Sequence, residues 1–506
     1  MSLNSPVGVL TIHIQANGHL SLALEDRRSG YEGVWTWEPK DSIYDPRTII
    51  DIRRELRYLE NHAAAADPPL SGQCYETRQD AIGRRLGAVL FGSGANEFDQ
   101  LMKAIYEFAG CASERYIRVL LNIEFSLLND LPWEAAIWPR LDIHLGTDRN
   151  LAMSRTRTGY PRTRYPEVTR PVDVLMTTSR GYQEDELRSA HEHISGWLQR
   201  IKAHSMGSLE VITTHSHLLA AAEDVSPAQT TSHDVFYYLG HGSAEGLKWI
   251  EDESGTERIL GSEKFLTMSF FRRQIPPLIA LLTCESDYCE STNLLAGRRF
   301  ADQLIEAQAG AVLTIFGPLY VRAAPAIALL VHMAMKDGMA LDRVVQYVRW
   351  FLYEVERDLR AHPLVSEYGR YRCKNWYRPI LSAGSQAALD LFVNRGYVYD
   401  NPEGSQEVES WSRALKVVLP GPNAESPPGE PKRRQLEKLR VDLEAIGVEL
   451  QAPFLAGLSP QMDVAKAVEL EDLDSRAVID AYEDVKWHVV AEAAVRGIKP
   501  EPLPDE

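Results

Sequence analysis

From Tyr116 onward the chain repeatedly alternates short, continuous apolar runs with helix-length amphipathic stretches. The runs are Ile117–Ile123, Val172–Thr178, Leu209–Thr214, Val235–Leu239, Leu278–Thr283 and Ala311–Phe316. Each is too short for a buried helix, and runs such as Pro277-Leu-Ile-Ala-Leu-Leu282 lack the polar alternation of a half-exposed strand. They read as strands covered on both faces. Helical periods lie between and after them, at Glu184–His204, Asn293–Ala309, Pro325–Lys336 and Leu341–His362. Strands alternating with helices build a mainly parallel sheet with helices on both sides. The expected class is therefore α/β, with Trp376–Ser382 as a closing strand.

Both ends depart from this pattern. Val9–Gln15 and Leu20–Glu25 alternate around Asn17-Gly18, a pair suited to the positive φ of a tight hairpin turn. A helix is expected from Pro46 to about Ala65, capped by Asp45, and another over Asn96–Phe108. After residue 400 comes a run rich in proline and glycine, Pro420-Gly-Pro-Asn-Ala-Glu-Ser-Pro-Pro-Gly-Glu-Pro431. Helical periods follow near Leu436–Leu450 and Ser475–Val495. The expected layout is an N-terminal hairpin and helix packed on the core (1–75), a main domain (76–400), a linker (401–431) and an acidic helical appendage (432–506). No repeat of 20 to 50 residues is visible.

Charge narrows the function. The chain carries −17 overall, and residues 401–506 hold 21 acidic against 12 basic residues, so that last fifth supplies −9 of it. A negative surface repels phosphate backbones, which disfavours direct nucleic-acid binding. The appendage is a candidate docking module. No apolar run approaches the ~20 residues of a membrane span, and Met1–Leu10 has no signal-peptide pattern, so the expectation is a cytoplasmic protein that binds no membrane. The five cysteines, Cys74, Cys111, Cys284, Cys289 and Cys373, are scattered and odd in number. They suit a reducing compartment and form no zinc motif. No phosphate-binding GxxxxGK[ST] occurs.

Two of the apolar runs end in reactive side chains. Asp234-Val-Phe-Tyr-Tyr-Leu-Gly-His-Gly-Ser243 delivers His241, and Pro277-Leu-Ile-Ala-Leu-Leu-Thr-Cys-Glu-Ser286 delivers Cys284. Ligands of open α/β sheets bind where the carboxyl ends of strands meet. A histidine there can promote thiolate formation and protonate a leaving amine. Gly240 and Gly242 leave backbone free for close approach, and the N–H groups of Gly242 and Cys284 are candidate oxyanion donors. The competing structural reading is a packed cysteine and a satisfied core histidine.

Together these segments resemble the CHAT domain, of the caspase, separase and gingipain group of cysteine peptidases. Phe236-Tyr-Tyr-Leu-Gly-His-Gly242 is followed by Leu278-Ile-Ala-Leu-Leu-Thr-Cys-Glu285, with His241 and Cys284 separated by 43 positions. Asp130-Leu-Pro-Trp-Glu134, the block Phe300–Thr314 and Trp376–Gly384 match further family motifs in the same order, across roughly residues 80–385. The resemblance implies a caspase-like fold, with His241 as general acid/base and Cys284 as nucleophile. It implies no cofactor or metal. It further implies a cysteine endopeptidase acting on few protein targets, in bacterial antiviral defence or programmed cell death. The implied partners are a protein substrate such as a gasdermin-like pore former, and an activating sensor or CRISPR-type effector. Two rival readings are a catalytically silent scaffold of the same fold and a ligand sensor.

Secondary candidates remain. Glu285 and Asp287 would favour a basic residue before the cleaved bond. Asp234 is a strand-start residue that would shape the site. Trp133 and Glu134 read as a packing anchor, and Arg155–Arg170 as a solvated basic loop. Cys289 reads as a spectator. His191 with His193, and His215 with His217, are poor metal pairs. Ser254–Gly261 and His362–Tyr371 are candidate self-cleavage loops.

Overall fold

The structure is a computed structural model. It describes residues 6–37, 50–56, 72–91, 96–112, 115–124, 128, 131–156, 172–178, 206–212, 233–243, 246–250, 257–261, 265, 275–283, 300–317, 323–336, 338–361, 378–393, 432–449 and 489.

The predicted hairpin forms as β1 (Gly8–Ile14) and β2 (Leu20–Asp26), with Gly18 at φ 84° in its turn. It continues into β3 (Tyr31–Trp37), a strand the hydropathy pattern did not reveal. Helix α1 (Gly72–Phe91) was also unforeseen, whereas α2 (Asn96–Ala109) lies where its apolar period predicts it. β4 (Ile117–Ile123) pairs in parallel with β1, so the N-terminal hairpin is part of the central sheet.

A single helical turn at Trp133–Ala135 leads to the small β5 (Ile137–Trp138) and β6 (Ile143–His144) pair, then β7 (Leu151–Thr156). Next come β8 (Val172–Thr178), β9 (Met206–Ile212), β10 (Val235–Ser243), β11 (Gly246–Ile250), β12 (Glu257–Leu260) and β13 (Leu278–Thr283). Helix α3 (Phe300–Glu306), β14 (Ala311–Ile315), α4 (Ala323–Lys336), α5 (Leu341–Ala361), β15 (Pro379–Ala383) and α6 (Gln386–Leu389) follow. The last described helix is α7 (Lys432–Glu449).

These strands form one 13-stranded sheet in the order β12-β11-β10-β13-β14-β15-β7-β4-β1-β2-β3, with β8 and β9 also attached through β10. Pairings within β9-β8-β10-β13-β14 and within β15-β7-β4-β1 are parallel. The two groups meet antiparallel at β14 and β15. The chain is thus α/β, with a mostly parallel central sheet flanked by helices.

Alternate residues of the strands feed two apolar clusters. Val235, Tyr237, Leu239, Leu278, Ala280 and Leu282 belong to the larger, with apolar residues of α2, α4 and α5. Phe236, Tyr238, Ile279 and Leu281 belong to the other, with Phe300, Leu304 and Ile305 of α3. Leu436, Leu439 and Leu443 of α7 join the larger cluster, so the apolar stripe of this acidic-tail helix is core-facing.

Arg155 corrects the expectation of a solvated basic loop beginning at that residue. It lies in β7, only 6% exposed, and donates to both carboxylate oxygens of fully buried Glu134 at 3.0 and 2.7 Å. Arg349 of α5 lies 4.0 Å from the same carboxylate. Burial alone would raise the Glu134 pKa, but the charges of Arg155 and Arg349 and the Arg155 hydrogen bonds hold it below the usual value. Burial pulls Arg349 down to about 10, against the pull of Glu134. Trp133 is fully buried, with Nε1 donating to Leu128 O at 2.8 Å. The packing anchor expected of Trp133 and Glu134 is therefore also an ionic one.

Removing one member of a buried ion cluster strands the others without solvent. Glu134→Gln is expected to lower stability by about 3–5 kcal/mol, measured as a shift in the urea midpoint at unchanged slope. A second outcome concerns acid. Arg28 donates to both oxygens of Asp26 at 2.9 and 2.8 Å and lowers its pKa from 3.8 to about 2. The folded pKa lies below the unfolded one, so the contribution is full above the unfolded value and is lost as pH falls toward the folded one. Wild type should exceed Asp26→Asn by about 2 kcal/mol near pH 6, with the gap closing by pH 2.

Candidate active site

β10 and β13 run in parallel through six register pairs, from Val235↔Leu278 to Gly240↔Thr283. Their carboxyl ends therefore finish level. His241 is the next residue of β10, half-buried, with buried glycines on either side. By strand parity it belongs to the series Val235, Tyr237, Leu239, on the face of the larger apolar cluster. Tyr238 reaches from the other face, its hydroxyl donating to His241 O at 3.4 Å.

β10 changes partners at this point. Its first five residues pair with β8 on the side away from β13, up to Leu239↔Thr178. From His241 the same side is taken by β11, antiparallel, as His241↔Lys248, Gly242↔Leu247 and Ser243↔Gly246. The pair flanking a two-residue hairpin loop is a hydrogen-bonded one, and such pairs alternate along the ladder. Gly242↔Leu247 is then a pair without ladder bonds, and the Gly242 N–H points away from β11, toward the β13 side. An independent contact agrees. The Leu278 N–H donates to Asp234 O at 3.2 Å, which sets the peptides of even-numbered β10 residues toward β13 from the start of the strand.

Beyond β11 the sheet ends in β12, paired as Lys248↔Ile259 and Leu247↔Leu260. Ile259 is 44% exposed, while Leu247 is buried in the second cluster. The face that carries His241 is thus open to solvent at the β12 edge. The sequence had offered Ser254–Gly261 as a self-cleavage loop. Glu257–Leu260 of it is strand, and residues 254–256 lie outside the described residues.

Asp234 stands at the opposite end of β10. Its carboxylate accepts from the Asp173 N–H at 3.0 Å, and its own N–H donates to Asp173 O at 2.8 Å. Seven residues of strand, roughly 23 Å at ~3.3 Å each, separate it from His241. It ties the first turns of β8, β10 and β13 together and does not line the His241 end.

Cys284 directly follows Thr283 in sequence and lies outside the described residues, as do Glu285, Asp287 and Cys289. The four histidines His191, His193, His215 and His217 and the loop His362–Tyr371 lie outside them too. Among the described residues no group of three or more His, Cys, Asp or Glu could hold a metal ion. No described helix is long and apolar enough to cross a membrane.

β11 and Lys248 were missed by sequence reading. The available signal was Gly246-Leu-Lys-Trp-Ile250, a short run whose single lysine breaks the apolar pattern just after a turn.

No protein-family model matches the chain, and no curated protein matches it. Among solved structures it is similar to a chain of the Saccharomyces cerevisiae separase–securin complex, with a TM-score of 0.41 and 10% identity. The match covers 76% of this chain and 30% of that one, so this chain spans less than a third of the length of the structure it matches.

Because Asp234 acts at the far end of the strand, Asp234→Ala is expected to cost about 1–3 kcal/mol by orphaning the Asp173 N–H. The rate at which Cys284 is alkylated, corrected for the folded fraction, should stay at the wild-type value.

Proposed function

We propose that this chain is a cysteine endopeptidase of the caspase-like class, with Cys284 as nucleophile and His241 as general acid/base. The observation that carries the reading is the level finish of β10 and β13. Gly240 is paired with Thr283, and in the sequence these two are followed directly by His241 and by Cys284. Leu239 and Leu282, paired across these strands, lie in one apolar cluster, and strand parity puts His241 on that same face.

The chemistry follows from the residues. His241 takes the thiol proton and Cys284 attacks the peptide carbonyl, forming a tetrahedral oxyanion. The Gly242 and Cys284 N–H groups stabilise it. The peptide C–N bond breaks as His241 returns the proton to the leaving amine, which leaves a thioester on Cys284. Water, deprotonated by His241, hydrolyses the thioester and regenerates the thiol. Glu285 and Asp287, directly after the nucleophile, favour a basic residue before the cleaved bond.

The biological reading rests on the motif resemblance. It is limited cleavage of a protein target, such as a pore-forming effector, within a bacterial defence or cell-death pathway, under the control of a sensor that docks on the acidic C-terminal region. The enzyme acts in the cytoplasm.

The test compares wild type, Cys284→Ala and His241→Ala against proteins encoded beside it, with cleavage read by mass spectrometry. Cleavage by wild type should fall below detection in both variants, with thermal midpoints unchanged. Cys284 should also react with a chloromethyl ketone or iodoacetamide faster than Cys111, the described exposed cysteine. Cleavage that survives Cys284→Ala, or no cleavage together with an inert Cys284, would overturn the peptidase reading in favour of a binding scaffold.

A further inference from the structure

Three strands stand side by side at the His241 end, in the order β13, β10, β11. In the proposed chemistry the first supplies the nucleophile and the second the proton donor. The third places Lys248 directly opposite His241. Residues opposite each other in an antiparallel pair lie on the same face, with Cβ atoms about 5 Å apart. The neighbouring pair fixes which face this is. Leu247, opposite Gly242, belongs to the cluster beneath the sheet's other side, so Lys248 shares the face of His241. The row continues to Ile259, paired with Lys248 and 44% exposed. Lys248 therefore stands between the histidine and an open edge.

Resting on the peptidase reading, we propose that Lys248 selects substrates with an acidic residue at the first or second position after the cleaved bond. The direction comes from the order of the strands. The acyl half of the substrate is bonded to Cys284, on the β13 side. The leaving amine must lie at His241 to receive its proton. The segment that departs with that amine therefore runs outward past His241, over β11, where Lys248 stands. An extended residue spans about 3.3 Å. One or two residues beyond the amine reach the Lys248 position, and an aspartate or glutamate there meets its ammonium.

Among the described residues, one other charged residue falls on this face beside Lys248. Glu257 of β12 pairs with Ile250, two residues along from Lys248, and so is its diagonal neighbour on the same face, roughly 7–8 Å away. His241, directly opposite, is closer. Glu257 competes with an acidic substrate for the same lysine, so its removal should sharpen the preference. Arg258 alternates onto the opposite face. The two preferences combine into one recognition rule, with a basic residue before the cut set by Glu285 and Asp287, and an acidic one after it set by Lys248.

The test is cleavage-site profiling of a denatured proteome-derived peptide library by wild type, Lys248→Met, Lys248→Glu and Glu257→Gln, with Cys284→Ala as blank. Wild-type sites should be enriched in Asp and Glu at the first two positions after the cut. Lys248→Met should lose that enrichment, lowering kcat/KM for acidic peptides about tenfold with little change for neutral ones. Lys248→Glu should invert the preference toward Lys and Arg, and Glu257→Gln should strengthen the acidic preference. Thermal midpoints keep specificity apart from folding. Cys284-dependent cleavage with no acidic enrichment, or enrichment untouched by Lys248→Glu, would overturn this assignment while leaving the peptidase reading intact. Cleavage equal to the Cys284→Ala blank, together with a Cys284 inert to iodoacetamide, would overturn both.

Discussion

The molecule depends on a charge buried where two neighbouring strands of the sheet, β7 and β15, pair over only two residues. β7 and β15 pair only at Ser382↔Arg155 and Ala383↔Thr156. Toward their other ends the ladder is missing, and Pro379 has no N–H to offer it. Arg349, fully buried on α5, bridges this gap. Its Nε donates to Pro379 O at 2.7 Å on β15, and Nη1 to Met153 O at 3.0 Å on β7. The guanidinium thus stands in for ladder hydrogen bonds between diverging strands. Glu134 offsets the charge and accepts two bonds from Arg155 on β7. A carboxylate without those arginines, or either arginine without it, would be an uncompensated charge in an apolar interior.

The next pairing along the sheet, β14 with β15, decides where a ligand edge can form. Across β14 and β15 the strand direction reverses. The carboxyl ends of β1, β4 and β7 therefore open on one edge of the sheet, and those of β10 and β13 on the other. On the β14 side the register is passed by main-chain contacts. The Ala311 N–H donates to Pro277 O at 2.8 Å. A Cβ on Gly310 would lie 2.6 Å from that same carbonyl, so only glycine lets β14 enter beside β13. From Arg349 to His241 there is one continuous succession of paired strands, β15, β14, β13 and β10, with no loop intervening.

Much of this was legible because continuous apolar runs are unambiguous when buried on both faces. β4, β8, β13 and β14 occupy nearly the spans their hydropathy indicates. What escaped was long-range or polar. β7 ends Ser154-Arg155-Thr156, residues that look solvated until a carboxylate 21 positions earlier is brought against the guanidinium. Arg349 resembles any charge on a helix, since its partners lie on strands distant in sequence. β11 and β12 are short, mixed in polarity and held by a hairpin turn and an edge pairing. Of the site, the end of β10 could be read from its glycines and histidine. Asp234 was drawn to that site by nearness in sequence, although residues seven apart on a strand stand at opposite ends of it.

The handover on β10 has a mechanical consequence. Up to Leu239 the strand is braced between β8 and β13, both parallel and both buried. At His241 the brace on one side becomes β11, a five-residue strand that leans on the four-residue β12 at the sheet's edge. The backbone of His241 is therefore tied to the least supported strands beside β10, while the stretch just before it is among the most buried. A force applied at the β12 edge reaches the histidine through two strand pairings. One applied at β9 must pass through β8 and then along the braced part of β10. The part of β10 before His241 is accordingly the firmly packed part of the strand, held by close-packed β8 and β13, and the histidine marks where that packing hands over to the edge meander.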